Sequence, residues 1–228
     1  MSTIAIVGAG KGLGAAVARK FGSEGFDVAL IARNQERVDA LAAELQGEGI
    51  TARGYTANVR DPQSLIAALD RATQELGLIE VLQYSPLPQK EFLRPVLETT
   101  VEDLKGAVEF SIYGPVAAAH QVLQGMRTLG TGSILFVNGG SGAKPSSGVA
   151  GTSIAFAGET AFAAMLHETL KDENIGVGQI IIPGAMGDEG STKSPAAVAD
   201  KLWHLHTHHD EFRVYAEELP GSWEPTAS

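Results

Sequence analysis

Apolar runs alternate along the chain with longer segments in which apolar positions recur at helical spacing. Runs such as Ile4–Val7 and 177–182 contain almost no polar residue, which is typical of parallel strands covered on both faces. The pattern predicts strands over residues 3–8, 27–32, 51–57, 79–84, 133–138, 177–182 and 212–215, and helices over 12–24, 34–46, 61–76, 99–129, 153–171 and 194–206. Repeated strand-helix-strand units predict one α/β domain over 1–219, a doubly wound parallel sheet with helices on both faces and right-handed crossovers. Residues 220–228 are predicted to be a loose tail.

Capping residues mark where several of these helices begin. Asn34 and Asp61 are placed to cap the second and third helices. Thr99-Thr100-Val101-Glu102 predicts a capping box at the long fourth helix, and Ser194 is placed to cap the last one. The glycines at 176–178 are interpreted as part of a loop before the sixth strand.

A glycine-rich segment, Gly8-Ala9-Gly10-Lys11-Gly12-Leu13-Gly14, follows the first strand and leads into the first helix. Glycines in this context let the backbone approach a pyrophosphate, which then lies at the positive end of the helix. A strand before the segment and a helix after it make the motif a specific signal for a dinucleotide. We therefore expect the cofactor's phosphates to contact Gly8, Gly10, Lys11, Gly12, Leu13 and Gly14.

The end of the second strand indicates which dinucleotide is bound. In folds of this kind an acidic residue there binds the 2′-hydroxyl of NAD. Here the strand ends in Ala32-Arg33-Asn34 without a carboxylate. The Arg33 guanidinium suits a 2′-phosphate, and Lys11 can add a second positive charge. The sequence thus favours NADP over NAD at Arg33 and Asn34, with ordinary solvated residues as the alternative.

With these features the chain resembles the short-chain dehydrogenase/reductase family from Val7 to about Tyr215. The matching elements are Gly8-x-x-x-Gly12-x-Gly14, Ala32-Arg33-Asn34, Asn58-Val59 in place of the family's Asp-Val, and Pro183-Gly184 after the sixth strand. The resemblance implies a Rossmann-like domain that binds NAD(P) and transfers a hydride to or from a carbonyl or alcohol of a small-molecule substrate. It places Asn58 and Val59 at the adenine ring, unless they form a simple turn, and Ser85, Pro183 and Gly184 among the cofactor contacts.

The family's catalytic residues have no counterparts of the same type here. The resemblance places the family's Tyr at Thr152, its Lys at Phe156, its Asn at Ser111, and its Ser at or near Gly139. The chain has no Tyr between Tyr113 and Tyr215 and no Lys between Lys144 and Lys171. The sequence therefore predicts an atypical member that lacks the Ser/Tyr-x-x-x-Lys set.

Three polar residues are candidates for catalysis in their place: Tyr84, Ser141 and Ser153. Tyr84 ends the fourth strand, at the sheet edge where ligands bind in such folds, and the alternative is a ring that packs beneath a loop. Ser141 and Ser153 carry hydroxyls that can bind a carbonyl oxygen, with loop and cap roles as the alternatives. Glu159, one turn beyond Phe156, is expected to be solvated or at a subunit interface, and the alternative is that it reaches toward the site.

Two functions stay open on these residues. One is an NADP(H)-dependent oxidoreductase, and the other is a non-catalytic NADP(H)-binding sensor or partner-binding module. The retained glycine-rich segment is compatible with both.

Composition narrows the partners and the compartment. The 228 residues include no Cys, and the formal net charge of −10 argues against nucleic acid and anionic membranes as partners. No basic leader and no membrane-length apolar run is found, so the expected location is the cytoplasm. The cluster His204, His206, His208 and His209 lacks the ligand spacing of a familiar metal site, and no metal is expected.

The predicted helix around Ile154–Met165 is rich in small apolar residues, which allow close approach of another helix. In the family that the chain resembles, the equivalent helices pair across a subunit interface. The resemblance therefore implies a homodimer or homotetramer, and the alternative is an ordinary helix buried on the sheet.

Overall fold

The computed structural model describes residues 2–219, so the predicted tail at 220–228 lies outside the described residues. The strands are β1 (Thr3–Val7), β2 (Asp27–Ala32), β3 (Ala52–Thr56), β4 (Ile79–Tyr84), β5 (Gly132–Gly139), β6 (Ile175–Ile182) and β7 (Arg213–Tyr215). They form a seven-stranded sheet in the order β3-β2-β1-β4-β5-β6-β7, with every neighbouring pair parallel. The predicted parallel sheet is confirmed.

Helices cover both faces of this sheet. They are α1 (Leu13–Ser23), α2 (Gln35–Gly47), α3 (Pro62–Leu76), α4 (Val101–Val108), α5 (Gly114–Leu129), α6 (Ala150–Leu170) and α7 (Pro195–Thr207). One buried apolar layer lies beneath α1, α2 and α7, and the other lies beneath α3 to α6. This doubly wound arrangement is the Rossmann-like fold predicted from the sequence. Within the described residues, no helix is long and apolar enough to cross a bilayer.

The single helix predicted over 99–129 is interrupted in its middle. After α4 the backbone widens into a π turn at Glu109–Tyr113, and the N–H of Gly114 donates to the carbonyl of Glu109. Pro115 accounts for the widening, because proline has no N–H for the carbonyl one turn earlier and its ring crowds that turn. The π turn places Phe110 and Ser111 in buried positions.

The interpretation of residues 176–178 as a loop is wrong. β6 begins at Ile175, so Gly176 and Gly178 are strand residues. A Cβ added at Gly178 would lie 3.2 Å from the Cβ of Leu205, and one added at Gly176 would overlap the ring of His209. These glycines are present because α7 and the residues after it lie directly on the strand, which leaves no room for side chains.

The structure confirms most of the predicted helix starts. The side chains of three predicted caps accept backbone N–H groups of their own helices: Asn34, Asp61 and Ser194. The capping box at α4 is displaced by one position. Its partners are Thr100 and Asp103, each accepting from the other's backbone N–H at 3.0–3.1 Å. α6 begins at Ala150, ahead of the predicted residue 153.

Candidate cofactor site and active site

The glycine-rich segment joins three strand ends at the carboxyl edge of the sheet. The N–H groups of Gly8 and Ala9 both donate to the carbonyl of Ile31, at 2.9 and 3.0 Å. Gly8 has φ +93°, and a Cβ there would lie 2.5 Å from the backbone of Pro86. Ser85 is held beside it, because its N–H donates to the carbonyl of Val7 at 2.9 Å. Only glycine permits this conformation and this approach at position 8.

Beyond Gly8 the segment opens to solvent. A Cβ added at Gly10 or Gly12 would meet no atom within 4 Å, whereas Gly14 packs closely on Ala9. Gly12 is the N-cap of α1, and no side chain caps it. The first N–H groups of a helix lack intrahelical acceptors, and the open space beside Gly10 and Gly12 lies at this positive end of α1, next to Lys11 and Leu13. The residues present fit the phosphates of a dinucleotide.

The residue that follows β2 at this edge of the sheet is a cation. Arg33 is exposed and follows β2 directly. The Ile31 carbonyl of the same strand accepts the N–H groups of the glycine-rich turn. The Asn34 side chain accepts from the N–H of Arg37 at 2.9 Å, so its amide oxygen serves as a helix cap. The absence of a carboxylate at the end of β2 leaves the Arg33 guanidinium as the charged group there.

Asn58 and Val59 follow β3 at the same edge. The side-chain oxygen of Asn58 accepts from the backbone N–H of Arg60 at 3.2 Å. The backbone N–H of Asn58 donates to the hydroxyl of Ser64 at 3.2 Å. Val59 is buried. The simple turn that the sequence left open is therefore formed, and contact with an adenine ring stays a prediction.

The segment after β6 forms the opposite side of the site. Pro183 is buried, and its carbonyl accepts from the ammonium of Lys193 at 3.2 Å, which also pairs with Glu217 at 2.9 Å. Gly184 follows with φ +70° and an exposed backbone. Lys193 thus fastens the loop between β6 and α7. A groove of about 610 Å³ runs along α1 from Lys11 to Ser23 and separates that helix from this loop and the first part of α7.

The folding of the β5–α6 connection brings two candidate hydroxyls together. Ser141 lies in the short helical turn Gly140–Gly142, and its hydroxyl donates to that of Thr152 at 3.2 Å. Thr152, in the first turn of α6, donates in turn to the carbonyl of Val149 at 3.2 Å. Both side chains are buried. We call Ser141 and Thr152 the hydroxyl pair.

Ser153 takes a structural role. Its hydroxyl lies 2.8 Å from the carbonyl of Val149 and 3.1 Å from that of Ser146, and it accepts from the N–H of Ser146 at 3.0 Å. These bonds fasten the loop before α6 to the first turn of that helix. They occupy the hydroxyl, although Ser153 does not cap α6, because it is the fourth residue of that helix.

Tyr84 is a core residue. Its ring is 1% exposed, and its hydroxyl donates to the carbonyl of Phe110 at 2.5 Å. Burial raises the pKa of the phenol well above its ordinary value, and the nearby Glu159 carboxylate raises it further. A phenol that is buried, engaged and harder to ionise is unsuited to proton transfer, so the structure does not favour Tyr84 as a catalytic residue.

Glu159 differs from expectation. It is 2% exposed, neither solvated nor at the surface, and its Oε1 accepts from the side-chain amide of Asn138 at 3.0 Å. Burial raises the pKa of the carboxyl to about 8, although the hydrogen bond from Asn138 and the nearby Ser111 hydroxyl oppose the shift. Sequence reasoning did not reveal the burial of Glu159, because the residues that surround it come from β5 and the π turn.

Phe156, at the position that the resemblance gave to Lys, is also buried. A Cβ added at Gly142 would lie 3.2 Å from the Cβ of Phe156, which therefore packs against the turn that carries Ser141. An apolar side chain, rather than a cation, thus packs against this turn.

The His cluster lies at the other edge of the sheet. Ser133, at the start of β5, contacts ring nitrogens of His206 at 2.8 Å and His209 at 3.2 Å, while His204 pairs with Glu211 at 3.1 Å. Among residues 2–219 no group of three or more His, Cys, Asp or Glu side chains is arranged to hold a metal.

Comparison with known proteins identifies the family. Residues 2–197 match the family model of the short chain dehydrogenases. The chain belongs to the short-chain dehydrogenase family. This is a family of oxidoreductases whose fold binds nicotinamide cofactors.

Individual relatives agree with this assignment. D-threitol dehydrogenase of Mycolicibacterium smegmatis is 31% identical over 57% of this chain, and the aligned segment spans only 49% of that relative. A short-chain dehydrogenase of Rhodopseudomonas palustris has the same fold, with a TM-score of 0.83, 27% identity and coverage of 95% of this chain and 98% of the other. A metagenomic short-chain oxidoreductase solved in complex with NADP shares the fold at a TM-score of 0.80 and 20% identity, over 99% of this chain and 96% of the other.

Proposed function

We propose that this chain is an NADP(H)-dependent oxidoreductase that acts on a small carbonyl compound, or on the corresponding alcohol, at the carboxyl edge of the sheet. The observation that carries the proposal is the open, uncapped start of α1 beside the exposed Arg33, with no acidic residue at the end of β2. Backbone amides would hold the diphosphate, and Arg33 and Lys11 would bind a 2′-phosphate. A protein of the same fold solved in complex with NADP shows that this fold can hold that cofactor.

The hydroxyl pair supplies the polar groups nearest to the proposed reaction. When bound, the nicotinamide ring supplies a hydride to a carbonyl carbon or accepts one from an alcohol carbon. Ser141 and Thr152 would bind the substrate oxygen by exchanging their mutual bond for bonds to it. An aliphatic hydroxyl is a far weaker acid than a phenol, so we propose that water at the site delivers the proton to that oxygen. In this respect the chain would be an atypical member of its family.

A second function is favoured by one specific observation. Thr152 and Phe156 occupy the positions that the resemblance gave to the family's Tyr and Lys. The Phe156 side chain is buried and carries no charge. A non-catalytic NADP(H)-binding sensor or partner-binding module would keep the cofactor surface and dispense with these groups. It predicts tight binding with no turnover.

We also propose that the chain forms a homodimer or homotetramer in the cytoplasm. The outward face of α6 carries Ile154 at 50% and Met165 at 63% exposure, with the exposed Ala157 and Ala161 between them. Tyr113 of the π turn is also exposed. An apolar strip with small central residues suits close packing of an identical helix.

Fluorescence titration with NADPH and NADH tests the cofactor assignment. Arg33→Ala should weaken NADPH binding by about tenfold or more and leave NADH binding nearly unchanged, because only NADPH carries the 2′-phosphate. Arg71→Ala, which removes an exposed arginine of α3, is the control. Equal losses for both nucleotides, or none for either, would contradict the assignment.

Turnover decides between the two functions. NADPH oxidation would be followed without oxygen against panels of aldehydes, ketones and imines. Substrate-dependent oxidation supports the enzyme. Tight NADPH binding with no oxidation across the panels, and a change in assembly on binding, would support the sensor instead.

A further inference from the structure

Glu159 lies on the same face of α6 as the hydroxyl pair's Thr152. Thr152, Phe156 and Glu159 are spaced four and three residues apart, so they line one side of the helix, and all three are buried. A buried carboxyl is costly unless it is hydrogen-bonded or neutral. The position therefore calls for an explanation beyond packing.

A chain of amide hydrogen bonds connects Glu159 to the edge of the sheet. The side-chain N–H of Asn138 donates to the Glu159 carboxyl at 3.0 Å. The side-chain N–H of Gln179 donates to the side-chain oxygen Oδ1 of Asn138 at 2.6 Å. Gln179 also donates to Thr160 at 2.8 Å and accepts from Arg213 at 2.8 Å. The donations from Arg213 to Gln179, from Gln179 to Asn138 and from Asn138 to Glu159 all run toward the carboxyl, and together they fix the orientation of both side-chain amides.

Asn138 links that chain to the reaction site. It stands near the end of β5, and the turn at 140–142 folds back over its side chain. A Cβ added at Gly142 would lie 3.3 Å from the Cβ of Asn138 and 3.2 Å from that of Phe156. Ser141 is the central residue of this tightly packed turn. Any movement of the Asn138 side chain is therefore transmitted to the Ser141 hydroxyl.

We propose that Glu159 is a positioning residue, which sets the geometry of the hydroxyl pair by holding Asn138 beneath the turn that carries Ser141. This role rests on the proposed function, in which the hydroxyl pair binds the substrate oxygen. Glu159 itself does not touch the substrate, because Phe156 lies between it and Thr152 on the helix face.

Burial favours the neutral carboxyl, although the side-chain N–H of Asn138 can donate to the carboxyl in either protonation state. Among the described residues, the titratable groups that face Glu159 are Tyr84 of β4 and, through the two amides, Arg213 of β7. Since no cation contacts the carboxyl directly, its ionisation needs water or rearrangement between α6 and the sheet. The raised pKa of about 8 is consistent with this cost. Ionisation should therefore disturb the turn at 140–142.

The direct test follows the backbone amide resonances of Ser141 and Gly142 by NMR from about pH 6 to about pH 9, a range that brackets the raised pKa. In the wild type and in Glu168→Gln, an exposed glutamate of the same helix, the resonances should shift with a midpoint near the pKa of Glu159. In Glu159→Gln, which stays neutral, that transition should be absent. Unchanged resonances in the wild type, or the same transition in Glu159→Gln, would overturn the proposal. Because this readout needs no substrate, it separates the positioning role from the proposed oxidoreductase function.

Turnover gives the second readout. At about one pH unit above its pKa a carboxyl is roughly 90% ionised, so wild-type kcat should fall about tenfold there relative to neutral pH. Glu159→Gln should keep its kcat across this range, with little change in NADPH affinity. A pH profile shared by the wild type and Glu159→Gln would overturn the role in catalysis. If Glu159→Gln does not fold, Asn138→Asp is used as the test variant in its place. The pH midpoint at which the Ser141 amide resonance shifts must then differ from that of the wild type, because a second carboxyl adjoins Glu159.

Discussion

The buried Glu159 should make the folded state less stable as the pH rises. In the unfolded chain its carboxyl titrates near the ordinary pKa of 4.5, whereas burial raises the folded-state pKa to about 8. Between these values the folded state binds more protons than the unfolded state, so the stabilisation present below about pH 4.5 is lost as the pH rises through about 8. Glu159→Gln, which cannot ionise, should remove this dependence.

The size of the effect follows from the two pKa values. A difference between 4.5 and about 8 corresponds to at most about 5 kcal/mol of unfolding free energy, because each pH unit contributes about 1.4 kcal/mol. Full burial of the carboxyl means that solvent screening does not reduce this value much, although relaxation of the surrounding groups would. A loss of several kcal/mol is a large fraction of the stability of a typical domain.

Urea unfolding monitored by circular dichroism at a series of pH values measures the effect. The decisive quantity is the difference between the wild type and Glu159→Gln, because it cancels groups common to both proteins. Among these is His206, whose pKa is lowered chiefly by burial and whose stabilising effect is lost toward acid pH. The wild type should lose stability relative to the variant from about pH 5 to about pH 8. Parallel curves for the two proteins would refute the reasoning.

Three further predictions test other parts of the structure. Ser141→Ala should lower kcat at least about tenfold and leave the NADPH affinity unchanged. The control Ser147→Ala, in the exposed part of the same loop, should change neither kcat nor the NADPH affinity. Equal effects of the two substitutions on kcat would exclude a role for the hydroxyl pair. Gly178→Ala should destabilise the fold by about 1–3 kcal/mol in urea unfolding, because its Cβ would press on Leu205 at 3.2 Å, and unchanged stability would mean that α7 can yield. Met165→Glu should shift the protein to a smaller species in analytical ultracentrifugation, and an unchanged mass would show that this face of α6 is not the subunit interface.

Prediction from sequence succeeded where local pattern and elementary chemistry coincide. A tight turn, an open backbone and a helix start follow one another before Leu13. Each of them depends on a glycine, so the sequence shows them as one short glycine-rich motif. The parallel sheet was likewise predictable, because strands buried on both faces must be apolar along their whole length. Asn34 and Asp61 were found as caps because a capping side chain bonds to N–H groups only two or three residues away.

Prediction failed where a residue's role depends on partners that are distant in the chain. The glycines at 176 and 178 resemble loop residues until Leu205 and His209 are seen packed against them. The π turn before Pro115 depends on how one proline disturbs an otherwise regular helical pattern. A single polar residue such as Glu159 leaves the helical periodicity almost unchanged, so the pattern does not reveal whether it is buried.

The sequence by itself determined the fold class, the glycine-rich turn at the start of the first helix and the positive charge of Arg33 at the end of the second strand. These features depend on backbone geometry and on residues close together in the chain. Only the tertiary structure decided that Ser141 meets Thr152, that the Tyr84 hydroxyl is engaged with the backbone, and that Glu159 is buried beneath the site. The reason is physical: burial and hydrogen-bond partnership are set by segments that approach each other only when the sheet and its helices pack.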